Sequence, residues 1–137
     1  MQLGTQIVGN IGLYYACYQL SKRGWNAMPT ARNAKGIDII AYSPDARKYL
    51  GIQVKALSKR NPIPIGASLD KIMGDFWIVI AKAIEPIPAV YVFTPEEIRN
   101  MARKSGKSYW VQPKDYDKPE YREAWDRIGL AADIQAD

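Results

Sequence analysis

Gly36-Ile37-Asp38-Ile39-Ile40-Ala41, a Ser43-Pro44-Asp45 turn, and Gly51-Ile52-Gln53-Val54-Lys55-Ala56 decide how this chain is read. Both flanks alternate with the period of a strand. Alternation assigns faces. Leu50, Ile52, Val54 and Ala56 point one way, and Gln53 and Lys55 point the other. Asp38 lies between Ile37 and Ile39 and therefore faces away from them. A turn between the runs makes them antiparallel neighbours. The expectation is that one carboxylate, one amide oxygen and one ammonium group converge on one patch of sheet.

Working outward, residues 4 to 23 read as a helix. Ile7, Ile11, Tyr14 or Tyr15, and Tyr18 recur at helical spacing, Lys22 and Arg23 favour the negative end of the dipole, and Gly24 suits the C′ position. Gly9 and Gly12 weaken the helix slightly and allow another backbone to come close. Trp25 to Met28 reads as a strand ended by Pro29, and residues 30 to 36 as a basic loop. On the far side, residues 58 to 68 with Pro62, Pro64 and Gly66 read as a loop, and 69 to 74 as one helical turn. Phe76 to Ala81 is an apolar run of strand length, as a central strand requires, and Ala89 to Phe93 is another. Thr94-Pro95-Glu96-Glu97 is a capping box that starts a helix, with Gly106 as its stop. Tyr109 to Val111 reads as a short strand. Residues 117 to 129 read as a final helix with Tyr121, Trp125 and Ile128 on one face. This order predicts an α/β domain, a central mixed sheet flanked by helices.

At 137 residues the chain is expected to be one domain. Residues 1–57 carry the motif, 58–130 the remaining sheet and two helices, and 131–137 a tail. No run has the apolar length of a membrane span, and no signal-peptide pattern is read at the start. Cys17 is alone, which fits a reducing, cytoplasmic setting. Histidine is absent, which excludes His-based acid–base chemistry, Ser/His/Asp triads and the usual zinc sites. Residues 1 to 60 hold nine bases and two acids, a net +7 within a total of +5, so the remainder is −2. A basic half that also carries the motif fits a polyanionic partner, against the alternative of a merely solvated surface. Arg32, Lys35, Lys59 and Arg60 are the candidate nucleic-acid-binding residues. Trp25, Trp77, Trp110 and Trp125 are expected in the core. Of Tyr14, Tyr15 and Tyr18, one is expected to face a partner subunit or a nucleic acid.

The central stretch resembles the PD-(D/E)xK nuclease superfamily, whose signature is an Asp on one strand and Glu-x-Lys or Gln-x-Lys on the next. Asp38, Gln53 and Lys55 are the matching residues, and the Gln-x-Lys form is similar to that of the Mrr-like restriction endonucleases. The resemblance extends from the first helix to about Leu57. It implies a restriction-endonuclease-like core, phosphodiester hydrolysis in DNA, a Mg²⁺ or Mn²⁺ cofactor and a homodimer. By the same resemblance Asp38, the Gln53 side-chain oxygen and the Val54 carbonyl hold the metal. Lys55 orients or deprotonates the attacking water, or stabilises phosphate charge. One feature departs from the family: active members commonly carry a Glu on the first helix. Residues 1 to 37 contain no acid, and the matching position falls at Leu13. Three alternatives stand beside catalysis: a nuclease-fold module that only binds nucleic acid or a protein partner, a structural Asp38–Lys55 ion pair, and a capping or turn-bonding Asp38.

Overall fold

The computed structural model of this chain describes residues 2–31 and 36–133. Helix α1 (Thr5–Lys22) lies on one face of a five-stranded sheet in the order β1 (Asn26–Pro29), β2 (Ile39–Tyr42), β3 (Tyr49–Ala56), β5 (Phe76–Ala81), β6 (Ala89–Phe93). The β2–β3 hairpin pairs antiparallel, with Ile39 opposite Ile52 and Tyr42 opposite Tyr49. β5 runs parallel to β3, and the sheet is otherwise antiparallel. The mixed, helix-flanked sheet expected from the element order is the observed architecture. β3 is the middle strand, and β5 is an inner strand between β3 and β6: Trp77 through Ala81 are buried, as its unbroken apolar run requires.

α1 turns a different face to the sheet from the one its large side chains suggest. Val8, Gly12, Ala16 and Leu20 are buried, whereas Ile7, Tyr14 and Tyr18 are 50, 63 and 57% exposed. The cause is close approach. A Cβ added to Gly12 would collide with the Ala56 Cβ on β3, so the small residues Gly12 and Ala16 at the middle of the buried stripe let the helix lie this near. Gly9 has open space around it and makes no such approach.

A second layer covers the opposite face. β4 (Ile63–Gly66), β8 (Ser108–Val111) and β7 (Arg103–Ser105) form a small antiparallel sheet in that order. The stretch expected as a loop over 58 to 68 therefore contains a strand. Ile63 and Ile65 alternate into the core, while exposed Pro64 lacks only an N–H that an edge strand does not need. α2 (Pro95–Met101) starts at the expected capping box but ends at Met101, where Ala102 turns extended. Gly106, at φ +64°, is the turn of the β7–β8 hairpin and not a helix stop.

The expected helix over 117 to 129 is also absent. α3 is one turn, Pro113–Tyr116, and a single 3-10 turn spans Trp125–Arg127. Between them Val92 N–H donates to Tyr121 O (2.9 Å) and Glu123 N–H to Val90 O (2.8 Å). This segment closes the edge of β6, and those backbone bonds override its helical pattern. Trp25, Trp77 and Trp125 are buried as expected; Trp110 is half-buried on the small sheet.

Candidate active site

The two apolar layers show how the site is positioned. Ile39, Leu50 and Ile52 join the core under α1, with Val54 and Ala56 packed against it, whereas Trp77 and Val79 join the core under the second layer. Gln53 and Lys55 lie opposite Trp77 and Val79 in the β3–β5 ladder, so their side chains share that second face. The period-two reading thus holds for β3.

Asp38 lies one residue before β2, yet its backbone is fixed on both sides. Its N–H donates to Ile52 O (2.9 Å), and its carbonyl accepts from Thr30 N–H (2.9 Å). Its carboxylate Oδ2 accepts the Val54 N–H at 2.7 Å. Here β2 ends its ladder with β3, and the side chain takes the amide that a backbone carbonyl would otherwise take. The N–H and C=O of one strand residue point to the same edge, so the Val54 carbonyl also faces the flank where Asp38 stands. The Asp38 charge reaches Lys55, whose proton affinity it raises.

Burial is the larger influence on Lys55. It pulls the ammonium below the ordinary lysine range, Asp38 acts against it, and the nearby Lys71 charge adds to the lowering. Lys55 Nζ stands 5.8 Å from the centroid of the Trp77 ring. Gln53 is only 6% exposed, and its Oε1 is buried with no hydrogen-bond partner among the described residues. A buried amide oxygen without a partner costs on the order of 1–3 kcal/mol. Such a group calls for a ligand or for some other compensation.

Both side chains open into a cavity of about 620 Å³ between the sheets, lined also by Gly36, Ile65, Ser68, Asp70, Lys71 and Met73. Sequence reading did not single out Ser68, Asp70 or Lys71. They lie on the turn after β4, and only non-local packing brings that turn over β3. The single available signal was that the loop leaving Lys55 carries bases.

Leu13 does not fill this cavity. It is partly buried and packs against the core under α1, on the other side of the sheet. No cluster of three or more His, Cys, Asp or Glu placed to hold a metal exists among the described residues. The oxygens that fit a hard divalent cation are an Asp38 carboxylate oxygen, Gln53 Oε1 and the Val54 carbonyl. Mg²⁺ commonly takes one or two carboxylates and completes its shell with water and substrate phosphate, so this set fits it in kind.

Of the four candidate nucleic-acid residues, Arg32 and Lys35 lie outside the described residues. Lys59 is exposed just after β3. Arg60 Nε stands 3.3 Å from Asp117 Oδ2, in a cluster where the Tyr91 hydroxyl donates to Asp117 Oδ1 at 2.6 Å. That ion pair engages Arg60 within the protein.

No family model and no curated protein sequence matches the chain. Solved structures do. The bacterial homing endonuclease I-Ssp6803I superposes with a TM-score of 0.61 at 19% identity, covering 92% of this chain and 93% of that one. The Holliday junction resolvase Hjc of Archaeoglobus fulgidus superposes with a TM-score of 0.54 at 22% identity, covering 80% and 87%. The chain therefore shares the fold of these two nucleases over most of its length.

Proposed function

We propose that this chain is a metal-assisted DNA endonuclease of the PD-(D/E)xK type, with Asp38, Gln53, Val54 and Lys55 as its site. The observation that carries the reading is the buried Gln53 oxygen, which has no hydrogen-bond partner among the described residues, on the same strand face as a desolvated Lys55, both residues lining the cavity. An apolar side chain would fill that space better. The fold shared with a homing endonuclease and a Holliday junction resolvase supports nucleic acid as the substrate class.

The geometry supports the following roles. Asp38 is held by its backbone bonds and by the Val54 N–H on Oδ2, and its carboxylate would be the charged ligand of a cation. Gln53 Oε1 and the Val54 carbonyl supply two neutral oxygens. Mg²⁺ or Mn²⁺, when bound, neutralises phosphate charge and makes a water more acidic. Lys55 meets the scissile phosphate as an ammonium that stabilises developing charge, or takes a proton from the attacking water as an amine. Its burial makes the amine form accessible at lower pH than for an ordinary lysine. Lys71 adds a second positive charge at the cavity wall. Two copies acting together would let one site serve each strand of a duplex.

A second reading is favoured by one observation: no cluster of three or more His, Cys, Asp or Glu that could hold a metal exists among the described residues. In that reading the fold binds DNA without cutting it.

Supercoiled plasmid incubated with Mg²⁺ or Mn²⁺ separates the two. The endonuclease reading expects nicking that is lost in Asp38→Ala and in Lys55→Ala. Cleavage that survives both substitutions overturns the site, and metal-independent binding without cleavage favours the second reading.

A further inference from the structure

We propose that the β7–β8 hairpin, residues 103–111, is a second phosphate-contact surface for duplex DNA seated at the cavity, with Lys104 and Lys107 as its main contacts. This rests on the nucleic-acid reading above and extends it to a surface far from the motif in sequence.

Three observations carry it. The first is charge. From Ile98 to Lys114 the chain has five bases, Arg99, Arg103, Lys104, Lys107 and Lys114, and no acid. This basic segment is separate from the basic amino-terminal half. The second is exposure. Residues 103 to 107 are all exposed, and Gly106 turns at φ +64° with open space around it, so the tip projects freely.

The third is register. Lys104 stands opposite Tyr109, and Tyr109 stands opposite Gly66 at the end of β4. Gly66 is also where Lys71 comes down: a Cβ there would lie 3.3 Å from Lys71 Nζ. The tip of the hairpin therefore extends past the point at which the chain leaves β4 to form the Ser68–Lys71 wall of the cavity. Cross-strand partners share a face. Tyr109 packs against the core between the sheets, so Lys104 lies on the cavity side of the small sheet, its Nζ 5.9 Å from the Tyr109 ring centroid. Lys55 and Lys71 line the cavity together with Asp70, and Lys104 stands two strands across from the Gly66 against which Lys71 packs.

Charged residues on an edge strand also serve to block sheet-to-sheet pairing. That role needs charge of either sign, whereas phosphate contact needs positive charge. Phosphate contacts also carry a salt signature. Each contact contributes about 0.9 to the slope of log K against log[salt], and is worth on the order of tenfold in affinity at low salt.

The test is fluorescence anisotropy of a labelled linear DNA duplex in EDTA across a salt series. Wild type is compared with Lys104→Gln/Lys107→Gln, Lys104→Glu/Lys107→Glu and Lys104→Arg/Lys107→Arg. The Gln pair is expected to bind about 100-fold more weakly at low salt, with a slope shallower by about 1.8. The Glu pair, which keeps a charged edge, is expected to bind more weakly still. The Arg pair is expected to bind like wild type, which separates loss of charge from damage to the hairpin. Wild-type binding with unchanged affinity and slope in the Gln pair overturns the hairpin proposal alone. Loss of binding in the Arg pair overturns it as well. Failure of wild type to bind at all overturns the nucleic-acid reading, and the hairpin proposal with it.

Discussion

Replacing Lys55 by Met should stabilise the protein and, under the proposed function, abolish cleavage. The ammonium is desolvated between the sheets, and that burial outweighs the Asp38 attraction, because the net effect on Lys55 is a lowered proton affinity. At neutral pH the charged form therefore costs folding free energy. Met keeps an unbranched apolar stem of similar length against Trp77 and removes the charge. Asp38 keeps its 2.7 Å bond from Val54 N–H, so no carboxylate is left without a partner. The expected gain is about 1 kcal/mol, or about 3 °C in Tm for a chain of this size. Urea denaturation at pH 7 measures it. The sign can be checked by pH. In the folded state Lys55 loses its proton below the ordinary lysine pKa of about 10.4, so the unfolded chain binds more protons over that window. Wild-type stability should therefore gain on that of Lys55→Met as pH rises towards 10. A loss of about 3 kcal/mol or more in Lys55→Met would refute the reasoning. It would show that Asp38 and Lys55 form a structural ion pair, as removal of one partner of a buried pair does.

Two further outcomes follow from packing and from burial. Gly12→Ala gains about 1 kcal/mol of helix propensity but overpacks against Ala56 by about 1–3 kcal/mol, so denaturation should show a net loss, partly recovered by Ala56→Gly. Gly9→Ala, with open space around it, should instead be stabilising by about 0.5–1 kcal/mol. Tyr91 and Tyr116 are held above the ordinary tyrosine range, chiefly by burial. The folded state therefore retains protons that the unfolded chain releases, and stability should fall as pH rises beyond about 10. Phenolate absorbance of these two tyrosines should appear only together with unfolding.

The β2–β3 hairpin was legible because strict alternation assigns faces without any tertiary information. Gln53 and Lys55 share one face in the fold as in the sequence, and Asp38 is tied to them through Val54. The capping box at Thr94 was equally legible, since both of its bonds are local. What escaped the sequence is non-local. Pro64 disguised β4, whose partner β8 lies some 45 positions on. Gly106 serves equally well as a helix stop or a hairpin turn, and only the pairing of β7 with β8 decides. The segment around Tyr121 has a helical pattern but is drawn out along the free edge of β6. In α1 the large residues marked a helix correctly but marked the wrong face, because contact with β3 selects small residues. Lys71 could not be found by pattern at all, since it reaches the cavity through the packing of one sheet on another.

The central claim is that the buried Gln53 oxygen and the Asp38 carboxylate are arranged for a divalent cation at a DNA phosphate. Anomalous diffraction from crystals grown with Mn²⁺ and a DNA duplex tests it most directly. The account predicts a peak about 2.0–2.3 Å from an Asp38 carboxylate oxygen and from Gln53 Oε1, with Lys55 Nζ turned towards the bound phosphate. Ordered Mn²⁺ and DNA elsewhere on the protein, with no cation at Gln53 Oε1, would contradict it.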